Sequence, residues 1–141
     1  MQYCRIDLSK TNYSLDDTCK LIINPDIDQL KAIYHTYCSY KNFASVVPLF
    51  EYQFTNVDSF IFGYYDNEKL VAFTLLRKLD KHNVENCQFA WDYNNPKLRI
   101  GIRSLKNECA IFKKWGYHYM YLGFHSEYKS QLDGYEIMGK L

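Results

Sequence analysis

At 141 residues and 16.9 kDa, with 48% hydrophobic and 18% aromatic residues, the chain is apolar enough to bury one continuous core, so we expect a single domain over residues 1–141. No apolar run approaches the roughly 20 residues that span a bilayer, and no charged-then-apolar start is present, so we expect no membrane partner and no signal peptide. The formal net charge of +1 argues against a protein that binds along nucleic acid without sequence preference.

The cysteines are scattered through the chain. They form no CxxC motif, and no Cys/His cluster has metal-ligand spacing, so we expect no metal site. We interpret them as reduced thiols of a cytoplasmic protein. The five are Cys4, Cys19, Cys38, Cys87 and Cys109.

A helix is the first element that the pattern predicts. Asn24-Pro25-Asp26 combines a capping residue, a proline suited to the first helical position and an acid in the first turn. The helix is predicted over Asp26–Lys41, where apolar residues recur at helical spacing. A second helical piece is predicted around Val47–Phe54, with Pro48 restricted to its first turn.

Strands follow from Ser59, where the apolar period changes. Phe60–Tyr65 and Leu70–Leu76 flank a polar turn and predict a hairpin. Gln88–Tyr93 is predicted as the next strand, after a turn at Asp80–Asn83. These three strands indicate an antiparallel meander.

A βαβ-like unit is the most informative part of the chain. A helix predicted over Lys97–Trp115 ends at Gly116 and leads into a strand over Tyr117–Phe124. Such a unit places the N–H groups of a helix N-terminus beside the ends of two strands, where an anionic donor would bind. Gly134–Met138 is predicted as a last short strand. The order predicts an α+β fold (a mixed α/β layer), with a mostly antiparallel, twisted sheet flanked by helices.

Charge is unevenly spread along the chain. Residues 1–68 carry five Lys/Arg against nine Asp/Glu, whereas residues 97–141 carry eight against four. The basic stretch is either the solvated face of a helix or a surface for the phosphates of a nucleotide cofactor or of RNA. Its cations are Lys97, Arg99, Arg103, Lys106, Lys113 and Lys114.

Several classes of enzyme are excluded because their motifs are missing. The sequence has no GxSxG, no Walker-type phosphate loop, no GxGxxG and no HExxH. The four histidines are isolated from each other, and only His125, just after the Tyr117–Phe124 strand, lies near the expected position of a donor.

The order of elements resembles the GNAT acyltransferase superfamily, with hairpin strands preceding a donor-binding helix. In that superfamily Arg/Gln-x-x-Gly-x-Gly/Ala opens the helix and grips the pyrophosphate of coenzyme A. The matching window here is Leu98–Arg103, in which only Gly101 is in place and Arg103 replaces the second small residue.

A closer resemblance is to the C-terminal domain of arginyl-tRNA–protein transferases and their leucyl-transferring bacterial relatives. The resemblance covers the sequence from about Phe60 onward. The N-terminal cysteine-bearing region of that family has no counterpart in this sequence. It is carried in register by Trp91-Asp92, Gly101, Glu108, Gly116 and Tyr119-Met120-Tyr121-Leu122-Gly123, and after a shortened loop by Tyr128-Lys129, Leu132 and Glu136.

The resemblance implies transfer of an aminoacyl group from aminoacyl-tRNA, or of an acyl group from acyl-coenzyme A, onto an amine of a protein N-terminus or a small molecule. No permanently bound cofactor is implied. Asp92 would orient or deprotonate the amine, unless it is only an acid that favours the helix dipole. Tyr121 and Tyr128 would bind the donor or protonate the leaving group, unless they serve packing alone.

The resemblance also implies the residues that hold the donor and the acceptor. Lys97, Arg99, Gly101 and Arg103 would bind the phosphates of coenzyme A or of a tRNA 3′ end. His125 and Lys129 would contact substrate. Two other functions stay open: a coenzyme A-dependent enzyme that modifies a protein, small molecule or nucleic-acid base, and a non-catalytic adaptor that has kept the fold.

Overall fold

The computed structural model describes residues 2–41, 56–92 and 96–140. Within them seven strands form one sheet in the order β2-β3-β4-β5-β6-β1-β7, and every neighbouring pair is antiparallel except β5 and β6. The helices are α1 (Ile27–Lys41), α2 (Ile100–Lys114) and α3 (Glu127–Ser130). The strands are β1 (Gln2–Asp7), β2 (Cys19–Leu21), β3 (Ser59–Asp66), β4 (Lys69–Lys78), β5 (Asn83–Trp91), β6 (Tyr119–Phe124) and β7 (Tyr135–Lys140).

The predicted meander and both long helices are confirmed. The β3–β4 turn is a two-residue loop in which Asn67 and Glu68 both have positive φ, the type I′ geometry that suits the twist of a hairpin. Strand β5 begins at Asn83, earlier than predicted, because it pairs along β4 as far as Lys78. The helix predicted around Val47–Phe54 lies outside the described residues.

Three elements were missing from the prediction, namely β1, β2 and α3. Strand β1 alternates buried Cys4 and Ile6 with half-buried Arg5 and Asp7, and it inserts between β6 and β7 at the far end of the chain. Strand β2 has three residues and α3 has four, which is too short for a periodic signal.

The two long helices cover opposite faces of the sheet. Consecutive strand residues such as Ile61 and Phe62 belong to different apolar clusters, because successive side chains of a strand point to opposite faces. Leu30 of α1 lies in one cluster, and Phe112 of α2 lies in the other. The result is a mixed sheet between α1 and α2. No helix within the described ranges has the length and apolar character to cross a membrane.

The attachment of α2 depends on aromatic packing at Phe112. This side chain is fully buried, and its ring lies 5.3 Å from that of Phe60, 5.9 Å from that of Phe62 and 5.1 Å from that of Tyr117. The edge-to-face geometry of all three pairs adds to the free energy of burial.

We therefore expect Phe112→Ala to lower the free energy of unfolding by about 3–5 kcal/mol, because it leaves a cavity between α2 and the sheet. Lys114→Ala, an exposed change two residues further along the same helix, is the matched control, with an expected effect within about 0.5 kcal/mol. Urea denaturation followed by circular dichroism measures both. Equal stabilities of the two variants would contradict this account of the core.

Candidate active site

The parallel pair β5–β6 separates soon after it begins. Only Asn83–Glu85 pair with Tyr119–Tyr121; beyond this point β5 pairs with β4 alone and β6 pairs with β1. A cavity of about 930 Å³ opens where the strands diverge. Its lining residues come from both strands and all three helices with their flanks: Tyr37, Lys41, Asn86, Cys87, Gln88, Phe89, Trp91, Arg99, Gly101, Ile102, Ser104, Leu105, Leu122, Ser126, Tyr128, Lys129 and Gln131.

The N-terminus of α2 opens onto this cavity. The backbone of Arg99, the residue before the helix, has a left-handed conformation (φ 51°, ψ 44°), and the Arg99 side chain does not cap the helix. The first backbone bond of the helix runs from the Arg103 N–H to the Arg99 carbonyl, at 3.2 Å, so the preceding N–H groups have no intrahelical acceptor. The positive end of the helix dipole and the Arg99 side chain therefore favour an anion here.

Gly101 and Tyr128 meet at the cavity wall. A Cβ atom built on Gly101 would lie 2.5 Å from the Tyr128 hydroxyl oxygen, so only glycine lets that hydroxyl approach the first turn of α2. Tyr128 is positioned by α3, whose first turn is capped by the Ser126 side chain accepting from the Lys129 N–H. The structure thus brings together two residues for which the sequence predicted separate roles.

Lys129 also lines the cavity, and His125 does not. The Lys129 ammonium donates to the carbonyl of Leu122 at 2.7 Å and lies 3.3 Å from the carbonyl of Phe124, at the end of β6. The His125 Nδ1 lies 2.5 Å from the Tyr135 hydroxyl oxygen. Its Nε2 lies 3.7 Å from a carboxylate oxygen of Glu127.

The predicted catalytic residues Asp92 and Tyr121 lie outside the cavity lining. The Asp92 side chain is 11% exposed at the end of β5, and its carboxylate lies 3.8 Å from the ammonium of Lys69 in the hairpin. The Tyr121 hydroxyl accepts from the Arg5 guanidinium at 3.2 Å. A role for either in catalysis stays a prediction.

The other two predicted cations also lie away from the cavity. Arg103 donates to Asp16 at 2.6 Å and to the hydroxyl of Thr18 at 2.8 Å, which directs its guanidinium toward the N-terminal loop. Lys97 is exposed in a short 3-10 turn before α2. Their predicted contacts with phosphate likewise stay predictions.

A buried polar network beneath the cavity was not anticipated as part of the site. Glu108 of α2 is fully buried; it accepts from the Tyr64 hydroxyl at 2.5 Å and from the Asn86 amide at 3.1 Å. Asn107 donates to the Tyr64 hydroxyl oxygen at 3.0 Å. Burial raises the pKa of Glu108 to about 8, although the hydrogen bonds from Tyr64 and Asn86 oppose this rise.

A signal for this network was present in the sequence. Ser104, Glu108 and Phe112 follow one another at four-residue spacing, so an acid stands within the stripe of α2 that packs on the sheet. A charged residue at such a position needs partners, because an unpaired buried charge is costly. Its partners on β3 and β5 are distant in sequence and were not predictable from the spacing.

Cysteine chemistry is disfavoured in the cavity. Cys87 is the only cysteine among the described lining residues, and burial, with the nearby Glu85 carboxylate, raises the pKa of its thiol to about 12. Because the thiolate is the reactive form, Cys87 is a poor nucleophile near neutral pH.

Glu108 predicts a specific dependence of stability on pH. Its folded pKa of about 8 lies above the ordinary value of 4.5, so between these two values the folded state binds more protons than the unfolded state. Its contribution to stability is therefore present below about pH 4.5 and is lost as the pH rises toward 8.

Glu108→Gln keeps the size and the acceptor oxygen but cannot titrate. We expect this variant to lose part of the decline in unfolding free energy between pH 5 and pH 8, by an amount on the order of a few kcal/mol. Urea denaturation at several pH values measures it. Parallel pH profiles for the parent and the variant would contradict the raised pKa.

Comparison with known proteins identifies the family. The sequence matches the family model described as arginine-tRNA-protein transferase, C terminus, over residues 26–137. No curated protein matches the sequence.

Solved structures show the same fold. L-PGS from Bacillus licheniformis has a TM-score of 0.65 and 13% identity, over 87% of this chain and 46% of its own. A GCN5-related N-acetyltransferase from Kribbella flavida has a TM-score of 0.54 and 12% identity, over 96% and 53%. An aminoglycoside acetyltransferase from an uncultured soil metagenomic sample has a TM-score of 0.57 and 11% identity, over 84% of both chains.

The chain spans about half the length of the first two of these structures. At such low identities the likeness concerns the fold, which is that of the GCN5-related N-acetyltransferase (GNAT) superfamily. The family and two of these neighbours are named as transferases. Because the family model covers most of the sequence, the chain belongs to the family of the arginine-tRNA-protein transferase C terminus.

Proposed function

We propose that this chain transfers an aminoacyl group from aminoacyl-tRNA to an amine, with the aminoacylated 3′ end of the tRNA bound in the cavity between β5 and β6. The observation that carries the proposal is the N-terminus of α2, which the Arg99 side chain does not cap and which opens onto this cavity beside Arg99, Gly101 and Tyr128. The family match supports the aminoacyl donor.

The first turn of α2 would hold an anionic group of the donor. Its N–H groups and the helix dipole favour a phosphate, and Arg99 adds a charge at the same end. The Lys129 ammonium, held by carbonyls at the end of β6, extends the positive potential along the cavity wall.

Transfer requires the amine nitrogen to attack the ester carbonyl carbon while the bond from that carbon to the ribose oxygen breaks. The departing oxygen needs a proton, which the hydroxyl of Tyr128, a residue of the cavity lining beside Gly101, would supply. The amine loses a proton to water as the new amide bond forms, and the Tyr128 phenolate regains one from water, so the total number of protons is unchanged.

The described cavity lining contains no carboxylate. An α-amino group has a pKa of about 8 and is partly neutral at pH 7, so a peptide N-terminus can attack without a strong base. The predicted role of Asp92 as a base would require its carboxylate, which lies 3.8 Å from the Lys69 ammonium, to reach the cavity. The predicted role of Tyr121 in protonating the leaving group would require its hydroxyl, which accepts from Arg5, to reach the cavity.

Acyl transfer from acyl-coenzyme A is the second candidate, because two of the fold neighbours are acetyltransferases. The same helix N-terminus would then bind the pyrophosphate of coenzyme A. Against it stands the incomplete coenzyme A motif, in which Leu98 and Arg103 replace two of the three signature residues.

Thermal-shift titration separates the candidates, because a ligand that binds the folded state raises its melting temperature. The probes are an amide-linked aminoacyl-adenosine that carries its 5′-phosphate, which mimics the tRNA end and resists hydrolysis, and acetyl-coenzyme A. We expect stabilisation by the first. Stabilisation by acetyl-coenzyme A alone would favour the second candidate. If neither probe raised the melting temperature, the hypothesis of a non-catalytic adaptor would be favoured.

Variants at the α2 N-terminus test the position of the donor. Gly101→Val should abolish binding, because its side chain displaces the Tyr128 hydroxyl and fills the approach to the first turn. Arg99→Ala should weaken binding about tenfold at low salt and less at high salt, since exposed charge contacts are screened. Lys114→Ala removes a charge at the opposite end of α2 and is the matched control.

Arg103→Ala should differ from Arg99→Ala. It breaks the pair with Asp16, so we expect a lower melting temperature with the affinity for the donor analogue retained. Isothermal titration of each variant measures the affinities. Equal affinities of the parent, Gly101→Val and Arg99→Ala would contradict the proposed donor position.

A further inference from the structure

Asn86 occupies the point at which β5 leaves β6. Glu85 is the last residue of β5 with a partner on β6, and Asn86 follows it, still paired with Leu76 of β4. Asn86 is one of the residues that line the cavity, and its side-chain amide nitrogen donates to the Oε1 atom of Glu108 at 3.1 Å. Asn86 therefore joins the buried network to the space in which substrate would bind.

The hydrogen bonds of this network all run in one direction, from the Asp16 N–H through Asn107 and Tyr64 to the carboxyl group of Glu108. The Asp16 N–H donates to the Asn107 carbonyl oxygen at 2.7 Å, and the Asn107 amide nitrogen donates to the Tyr64 hydroxyl oxygen. Tyr64 in turn donates to the Oε2 atom of Glu108. Glu108 is thus the terminal acceptor, and Asn86 must offer it the N–H₂ group rather than the carbonyl oxygen.

This orientation is retained when Glu108 is protonated. The Tyr64 hydroxyl lies 2.5 Å from Oε2 and 3.2 Å from the carbonyl oxygen of Ser104. A protonated Oε2 can donate a hydrogen bond to the Tyr64 oxygen, while the Tyr64 hydroxyl donates to the carbonyl oxygen of Ser104. With the proton on Oε2, the Oε1 atom is an acceptor in both charge states, so the amide of Asn86 is held the same way.

We propose that Asn86 is a specificity-determining residue whose amide carbonyl oxygen accepts a hydrogen bond from a primary amine in the cavity, with Glu108 as the positioning residue that orients it. Among the described residues, no group donates to this oxygen. The inference rests on the proposed function. The amine is either the α-amino group of the aminoacyl donor or the attacking amine of the acceptor.

A neutral amide is suited to an attacking amine. A carboxylate at the same position would raise the pKa of the amine and keep it protonated, which blocks attack. An amide oxygen orients an N–H bond and leaves the nitrogen lone pair available for the carbonyl carbon.

The experiment compares the parent with Asn86→Leu, Glu108→Leu and Glu108→Gln. Asn12→Leu, an exposed change of the same type outside the cavity, is the control. Affinities are measured by isothermal titration for the amide-linked aminoacyl-adenosine and for its counterpart without the α-amino group. The KM for a peptide with a free N-terminus is measured in a transfer assay, and thermal unfolding confirms that each variant is folded.

If the donor's α-amino group is the ligand, Asn86→Leu should lower the affinity for the amine-bearing analogue about tenfold. The affinity for the analogue without the amine should change by less than about twofold. If the acceptor amine is the ligand, both analogues should bind as before and the KM for the peptide should rise about tenfold. Glu108→Leu should reproduce Asn86→Leu, and Glu108→Gln, which retains an acceptor oxygen, should match the parent.

Unchanged affinities and KM in Asn86→Leu would overturn the inference while the proposed function stands. Loss of turnover in Glu108→Gln with unchanged binding would make Glu108 a proton acceptor instead of a positioning residue. A parent protein that binds neither analogue and transfers nothing would overturn the proposed function, and this inference with it.

Discussion

The separation of two parallel strands is the constraint on which the rest of the site depends. Strands β5 and β6 share only three residue pairs, and each then continues beside a different neighbour. Backbone groups and side chains that a continuous sheet would bury are thereby available to a ligand. Helix α2, which connects the two strands, directs its N-terminus into the space between them, so one topological feature supplies both the cavity and its anion-binding end.

The buried carboxyl group of Glu108 is the second feature on which the site depends. It lies beneath the cavity without a cationic partner among the described residues, and it is stabilised by hydrogen bonds from β3 and β5. Such a group costs free energy when it ionises, which is tolerated when the position serves a purpose other than stability. Here its hydrogen bonds connect three elements and fix a polar side chain at the cavity wall.

Local sequence predicted the elements whose signals are local. The hairpin turn at Asn67-Glu68, the amphipathic period of α2 and its stop at Gly116 were sufficient for the meander and the βαβ-like unit. Strand β1 was missed because its place between β6 and β7 depends on partners more than a hundred residues away. Long-range pairing of this kind leaves little trace in the period of a single strand.

The same distinction applies to the site. Arg99 and Gly101 were predicted from the start of α2, and both line the cavity. Arg103 is one turn further, and the rotation that buries Ser104 and Glu108 directs it toward Asp16. Asn86 was not predicted, because its importance arises from the register of β5 against β4 and β6.

The most direct test of the account is transfer itself. The full chain is incubated with a peptide that has a free N-terminus and either a mixture of aminoacyl-tRNAs or acetyl-coenzyme A, and the peptide mass is measured. We expect a mass increase of one amino-acid residue with the aminoacyl-tRNAs, which is absent when the N-terminus is acetylated. An acetyl increment with acetyl-coenzyme A alone, or no change with either donor, would contradict it.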